Sequence, residues 1–195
     1  IVELFDGNGW SLSCTVTSID TERVCLKPMG KPEKQLQSMN ARTTLVLAQV
    51  KPKAMDVTIR MATELGISDL IIFPSAHSIS RDPKLERWSR LSVAAAKQCG
   101  RNTLPNVRWE SSLETAWDAL PQETDHCFVA QPRISSGTEQ PPCHSGAVFI
   151  GPEGGFRADE VAWLCDHGAT PLDLGEWVLR ADTAAVVAAT VLKTT

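Results

Sequence analysis

Apolar and polar positions along the chain fall into two regimes. Over the first 27 residues they alternate in short runs, at 1–5, 10–19 and 24–27, with Asp6-Gly7-Asn8-Gly9 between the first two. A period of two, β-branched residues and turn signals predict strands of a small barrel-like module. From 28 to 40, Lys, Gln, Pro and Ser displace apolar residues, which predicts a linker or long loop and sets a domain boundary near Ala41.

Beyond that point the period lengthens. The apolar run 44–50 predicts a buried strand, 54–65 a helix closed by Gly66, and 70–73 a short buried strand. Residues 84–99 are amphipathic: Leu85, Trp88, Leu91, Ala95 and Gln98 lie near one stripe, with Arg87, Arg90 and Lys97 elsewhere. A helix at 113–120, strands at 127–130 and 147–150, a helix at 158–167, a strand at 171–174 and a last helix at 183–193 follow. Strands alternating with helices predict a largely parallel sheet covered on both faces. The stretch 133–145, rich in Ser, Gln, Pro and Gly, predicts a loop.

Composition narrows the class. With 195 residues, 43% of them hydrophobic, the chain can bury one sizeable core. It contains no run of about 18 apolar residues, and residues 1–7 lack the basic-then-apolar order of a signal peptide. No membrane partner is expected, and a cytoplasmic location is. Because the chain opens on Ile within a predicted strand, further residues are expected ahead of it. Six cysteines, at 14, 25, 99, 127, 143 and 165, form no C-x-x-C pair, so the spacing of a zinc ribbon or thioredoxin motif is missing. Free thiols fit best, with a Cys14 to Cys25 bridge across a hairpin as the alternative. The histidines at 77, 126, 144 and 167 show no metal-ligand spacing, and no metal is expected.

The net charge of −4 conceals an asymmetry. Residues 22–101 hold 14 lysines and arginines against 7 acids, a balance of +7, which leaves −11 for the rest. A basic half within an acidic protein suits a surface that meets a polyanion; a solvated helix face is the plainer reading.

Three segments could carry chemistry. Gly151-Pro152-Glu153-Gly154-Gly155 follows a strand and precedes a helix; its glycines let a ligand approach the main chain at the sheet edge where α/β proteins bind ligands. It matches neither the dinucleotide fingerprint nor a P-loop. A tight turn without a ligand is the alternative. Residues 172–184 repeat the pattern of strand end, glycine-containing loop and helix start, with Asp182 or Thr183 as cap. Arg180 stands just before that cap, against the helix dipole, so it awaits an anionic partner or pairs with Asp182 or Glu176. Lys97-Gln98-Cys99-Gly100-Arg101 ends the basic helix; Gln98 on an apolar stripe needs a hydrogen-bond partner, and Cys99 has no His near it in sequence to activate it. Asp159 and Glu160 suit the first turn of a helix. Among the tryptophans, Trp177 lies in the second glycine loop and could stack on a base.

These segments occur in the order found in a known family. Thr63-Glu64-Leu65-Gly66-Ile67, the 98–105 stretch, Ile150 to Phe156 with Glu160, and Leu174-Gly175 through Leu179-Arg180 with Thr183-Ala184 together resemble the uracil-N3 methyltransferases of small-subunit (16S) ribosomal RNA, the RsmE type of the SPOUT superfamily. The resemblance spans nearly the whole chain. It implies an α/β domain over 42–195 with a mostly parallel sheet and a deep C-terminal trefoil knot, preceded by an N-terminally incomplete, β-rich, PUA-like RNA-binding domain over 1–41. It further implies S-adenosylmethionine as cofactor, a homodimer, and ribosomal RNA within the assembled small subunit as substrate.

Carried over by position, the cofactor would meet Val129, Ala130, Gln131 and Pro132; Gly151, Pro152, Glu153, Gly154 and Gly155; and Leu172, Leu174, Gly175, Val178, Leu179 and Ala184. Arg180 and Arg101 would be catalytic, stabilising charge on the uracil oxygens as N3 loses its proton. Arg81, Lys84, Arg87, Arg90, Lys97 and Arg101 would hold phosphates. The chain departs from the family pattern at Trp177 (usually Arg), Ala181-Asp182 (usually Thr-Glu), Cys99 (usually Ser) and Ala76-His77 (usually Glu-Arg).

Overall fold

The computed structural model describes residues 1–35, 42–79, 82–132 and 145–194. The expected boundary at Ala41, Arg81, Cys143 and the loop expected over 133–145 lie outside the described residues, except Ser145, which begins a strand.

The first part is an antiparallel sheet. Strands β1 (Val2–Phe5), β2 (Trp10–Ile19) and β3 (Val24–Pro28) pair in sequence order, and β4 (Glu33–Lys34) pairs with the start of β2. The 6–9 segment turns because the Asp6 carboxylate accepts from the Asn8 and Trp10 amides at 2.7 and 3.1 Å, and because Gly7 and Gly9 take φ of 83° and 99°. The same turn docks on the second part. Leu104 N–H donates to Gly7 O at 2.9 Å, and Gly9 N–H donates to Asn102 O at 3.0 Å. Cys14 and Cys25 are both free thiols, so the bridge between them is not made.

The second part is a six-stranded, all-parallel sheet in the order β10-β8-β9-β5-β6-β7. Its strands are β5 (Arg42–Ala48), β6 (Asp69–Phe73), β7 (Asn106–Trp109), β8 (His126–Gln131), β9 (Ser145–Ile150) and β10 (Thr170–Asp173). The helices are α1 (Pro52–Glu64), α2 (Leu85–Cys99), α3 (Leu113–Asp118), α4 (Ala158–Asp166) and α5 (Ala181–Thr194). The expected α/β class with a mostly parallel sheet and a β-rich opening is the one found.

Alternation of side chains across the central strands splits the core in two. Leu45, Leu47, Leu70, Ile72, Val148 and Ile150 face α1, α2 and α5, while Val46, Ala48, Ile71, Phe73 and Phe149 face α3 and α4. Burial on both faces explains why these strands read as unbroken apolar runs. Helix α5 presents Ala181, Ala185, Ala188 and Ala189 inward, so it packs against β5, β9 and α1. Strand β7 was not expected: Asn-Val-Arg-Trp at a sheet edge alternates over only four residues.

Three sequence expectations need correction. Gln98 is exposed rather than on the buried stripe. At 100° per residue the buried Trp88, Ser92, Ala95 and Ala96 centre on one side of Trp88, and Gln98 lies about 80° round on the other. Arg87 donates Nε to Asp56 Oδ1 at 2.9 Å and its Nη2 also pairs with Asp56, so its fork staples α2 to α1 instead of standing free for phosphate. Arg101, expected at the reacting base, is a structural clamp. Its Nη1 and Nη2 donate to Thr63 O and Ile67 O at 2.8 and 2.9 Å, and its Nε donates to Thr103 Oγ1 at 2.9 Å. With Lys193, which donates to Leu65 O, it satisfies carbonyls at and just beyond the C-terminus of α1 where the helix dipole favours cations. Burial pulls down the pKa of both groups, and Lys193 is lowered further by the nearby Arg101 charge.

Asp69, wholly buried at the start of β6, fixes the opposite sheet edge. It accepts from Arg42 Nε at 2.8 Å and Asn106 Nδ2 at 3.2 Å, with Arg108 Nη2 3.6 Å away, tying β5, β6 and β7 together. Asp69→Ala should cost roughly 3 kcal/mol, because it leaves those donors facing an apolar gap. In a thermal melt this is a fall in Tm of roughly 6–12 °C; a change below 2 °C would show that the cluster contributes little.

Candidate active site

Parallel strands release their chain at one edge, and β10, β8 and β9 stand side by side. The segments leaving them therefore converge. They enclose a cavity of about 620 Å³, within the size range of small-molecule sites. Ala130, Gln131 and Pro132 come from the end of β8, Ile150 to Phe156 from the loop after β9, and Leu174, Gly175 and Trp177 to Arg180 from the loop after β10. Ala181 and Ala184, from the first turn of α5, complete the wall.

The glycine loop is shaped by close approach. A Cβ on Gly151 would lie 2.9 Å from Phe156 N and 3.1 Å from Gly155 C, so only glycine lets the chain fold back on itself there. Gly155 takes φ of 70°, in the left-handed region. Neighbouring loops then fix this turn from two sides. Lys51 N–H donates to Glu153 Oε1 at 3.2 Å, which joins the loop to the start of α1. His77 Nδ1 lies 3.0 Å from Gly155 O, and its ring packs under Gly154, where an added Cβ would lie 3.1 Å from His77 Cβ.

Glu160 ties the same region together from the first turn of α4. One carboxylate oxygen accepts from Ala76 N–H at 2.9 Å and the other from Arg157 N–H at 2.8 Å. Its place there matches the dipole argument, and the bond to Ala76 adds a link that no sequence signal reveals. Gly175 takes φ of 115° and its N–H donates to Asp173 Oδ1 at 2.9 Å, which turns the third loop back over the cavity.

Most of the residues expected to meet a cofactor are thus brought to one cavity, including Gly151 to Gly155, Leu174, Gly175, Val178, Leu179 and Ala184. Val129 and Leu172 are not among its lining; they are buried in the strands behind it. Ile150, at the end of β9, Phe156, after the glycine loop, and Ala181, at the start of α5, line it without having been expected to meet a cofactor, because an apolar side chain carries no mark of a ligand in sequence. Arg180 reaches the cavity and makes no ion pair with Asp182 or Glu176. Arg101 does not line it.

Arg90 and Lys97 are exposed on the outer face of α2, and Lys84 is exposed just ahead of its first turn. Thiol chemistry finds no support: Cys99 is exposed with its Sγ 3.7 Å from Ala96 O, and burial pushes the Cys127 thiol up to about 11, which keeps it protonated at neutral pH. Among the described residues no group of His, Cys, Asp and Glu could hold a metal ion, and no helix is long and apolar enough to cross a membrane.

An all-parallel sheet with glycine loops closing a cavity at the ends of three adjacent strands is the arrangement of a ligand-binding α/β protein. The chain belongs to the RNA methyltransferase family, whose domain model matches residues 37–193. It is 28% identical to the ribosomal RNA small subunit methyltransferase E of Buchnera aphidicola, an alignment covering 100% of this chain and 79% of that protein. With the enzyme of the same name from Bacillus subtilis it shares 27% identity over 93% of this chain and 76% of that one. Its fold is similar to the crystal structure of ribosomal RNA small subunit methyltransferase E from Neisseria gonorrhoeae bound to S-adenosyl methionine, with a TM-score of 0.88 and 26% identity, covering 99% of this chain and 82% of that one.

Gly151→Ala forces a methyl group into the Phe156 amide and should destabilise the fold by roughly 2 kcal/mol. Chemical denaturation measures the loss; an unchanged midpoint would show that the loop can open to admit the methyl.

Proposed function

We propose that the chain methylates N3 of a uridine in small-subunit ribosomal RNA, using S-adenosylmethionine held in the cavity at the ends of β8, β9 and β10. The observation that carries this reading is the cavity itself, main-chain and apolar on its inner walls, with the guanidinium of Arg180, which has no ion pair among the described residues, at its side. The methyltransferases of the same family named above, one of them solved with that cofactor, support it.

The residues present fit the cofactor. The main chain at Gly151 and Gly154, bare of side chains, suits a nucleoside's hydroxyls and ring edge, and Ile150, Pro152, Leu179, Ala181 and Ala184 supply an apolar bed for its base. The bound cofactor supplies an electrophilic methyl group on a sulfonium, which leaves as a neutral thioether and so requires no metal. The protein's work is alignment and exclusion of water. Uridine N3 carries a proton at neutral pH that must pass to solvent as the N–CH3 bond forms and the C–S bond breaks, and the Arg180 charge favours the deprotonated ring by meeting negative charge on the flanking oxygens.

Lys84, Arg90 and Lys97 supply the phosphate contacts in this reading, Arg81 belongs with them by sequence, and Arg87 and Arg101 are spent on the fold. Residues 1–41 serve as a PUA-like RNA-binding part ahead of the methyltransferase part over 42–195, and the antiparallel sheet of the first part supports that division. The working form is a cytoplasmic homodimer acting on the assembled small subunit.

The test is transfer of radiolabelled methyl from S-adenosylmethionine to unmodified small ribosomal subunits, with digestion and mass spectrometry of the nucleosides. 3-Methyluridine is the expected product; a 2′-O-methyl nucleoside would overturn the target atom, and no transfer the activity. Arg180→Ala should lower kcat roughly 100-fold while cofactor affinity stays within twofold; equal losses in both would remove Arg180 from the chemistry. Affinity for the RNA should fall with rising salt, with a shallower slope in a Lys84→Ala, Arg90→Ala, Lys97→Ala triple variant.

A further inference from the structure

Five of the six tryptophans have partners for their rings. Trp88 and Trp109 lie 6.2 Å apart, Trp117 packs on Phe149 at 5.5 Å and on Trp163 at 5.9 Å, and Trp163 stacks on His167 at 3.7 Å. Trp10 carries the Lys34 ammonium 5.8 Å from its ring centre. Trp177 has neither a ring nor a cation against it among the described residues, and 74% of its surface is exposed. The glycine turn at 175 nonetheless brings it to the cavity, together with Arg180.

Leaving an indole in water forgoes the largest apolar burial any side chain offers. At the rim of a cavity, beside a guanidinium with no ion pair among the described residues, that exposure makes a flat platform with a positive charge at its edge. Such a pair suits a planar heteroaromatic ring whose rim carries oxygen atoms. The deeper walls are already occupied by main chain and by the buried Ile150, Pro152 and Ala181, so the inner end of the cavity can bed a ring without Trp177. The exposed position of Trp177 places it toward whatever enters second, from outside.

We propose that Trp177 is the stacking platform for the target base of the RNA, with Arg180 facing the oxygens on that base's edge. The proposal rests on the methyltransferase reading and adds its specificity determinant: the substrate nucleotide must be unpaired and turned out of its helix, because a base within a duplex offers no free face to an indole.

Trp177→Ala and Trp177→Phe test it, each measured in three ways. For methyl transfer to small ribosomal subunits, Trp177→Ala should lower kcat/KM for RNA roughly 10–100-fold, whereas Trp177→Phe, which keeps a ring, should lose less than about fivefold. Cofactor affinity by calorimetry and oligomeric state by sedimentation should stay at the wild-type values in both. Binding of a short oligouridylate should quench the wild-type indole emission, and the quench should be absent in Trp177→Phe.

An unchanged kcat/KM in Trp177→Ala overturns the proposal. A cofactor affinity that falls with it places the indole on the cofactor's own base, and a change in sedimentation places it on a second copy of the chain; either result also overturns it. If the wild type transfers no methyl group yet shows the Trp177-dependent quench, the enzymatic reading fails and the platform stands.

Discussion

A parallel sheet has one constraint that an antiparallel sheet lacks: every strand ends at the same edge, so each connection must travel back across a face. Here the order β10-β8-β9 gathers three such ends at neighbouring positions, and the chain leaving each has to turn away within a few residues. The cavity is the space those turns leave between them. Its depth depends on β9, whose six buried residues are held between β8 and β5, and on Gly151, where the chain doubles back against its own Phe156 amide.

The loops at that edge are positioned from outside as much as from within. Glu153 reaches the start of α1, His77 reaches up from the segment after β6, and Glu160 joins that segment to α4. The glycine turn is therefore held by elements from both halves of the sheet. At the far edge of the sheet Asp69 plays a corresponding part for β5, β6 and β7. Arg101 does so where α1, α2 and the segment before β7 meet, and the Gly7 to Gly9 turn of the first sheet docks on the residues that follow it.

Legibility in the sequence followed burial. Strands such as 70–73 and 147–150, covered on both faces, announce themselves as apolar runs, and helices α1 and α2 by their period and by the glycines that end them. Strand β7 escaped because an edge strand of four residues mixes Asn and Arg with Val and Trp. The glycine loops were legible because glycine at a strand end is costly unless something must come close. The roles of Arg101 and Arg87 were not, since a sequence records a charge but not the carbonyls or the carboxylate that consume it. His77 was noted as a histidine without metal-ligand spacing and, with Ala76, as a departure from a family pattern; their contacts with the glycine loop and Glu160 depend on a meeting of residues 78 and 84 positions apart.

The inner face of α5 consists largely of methyl groups, from Ala181, Ala185, Ala188 and Ala189. Alanine has no rotamers to lose, so this helix docks on the sheet with almost no side-chain entropy to surrender. Folding there is opposed chiefly by the ordering of the backbone, and helix formation itself supplies that order. The wall of the cavity made by Ala181 and Ala184 is accordingly set by main-chain geometry, and its position cannot drift through the side-chain rearrangements open to a wall of leucines or methionines.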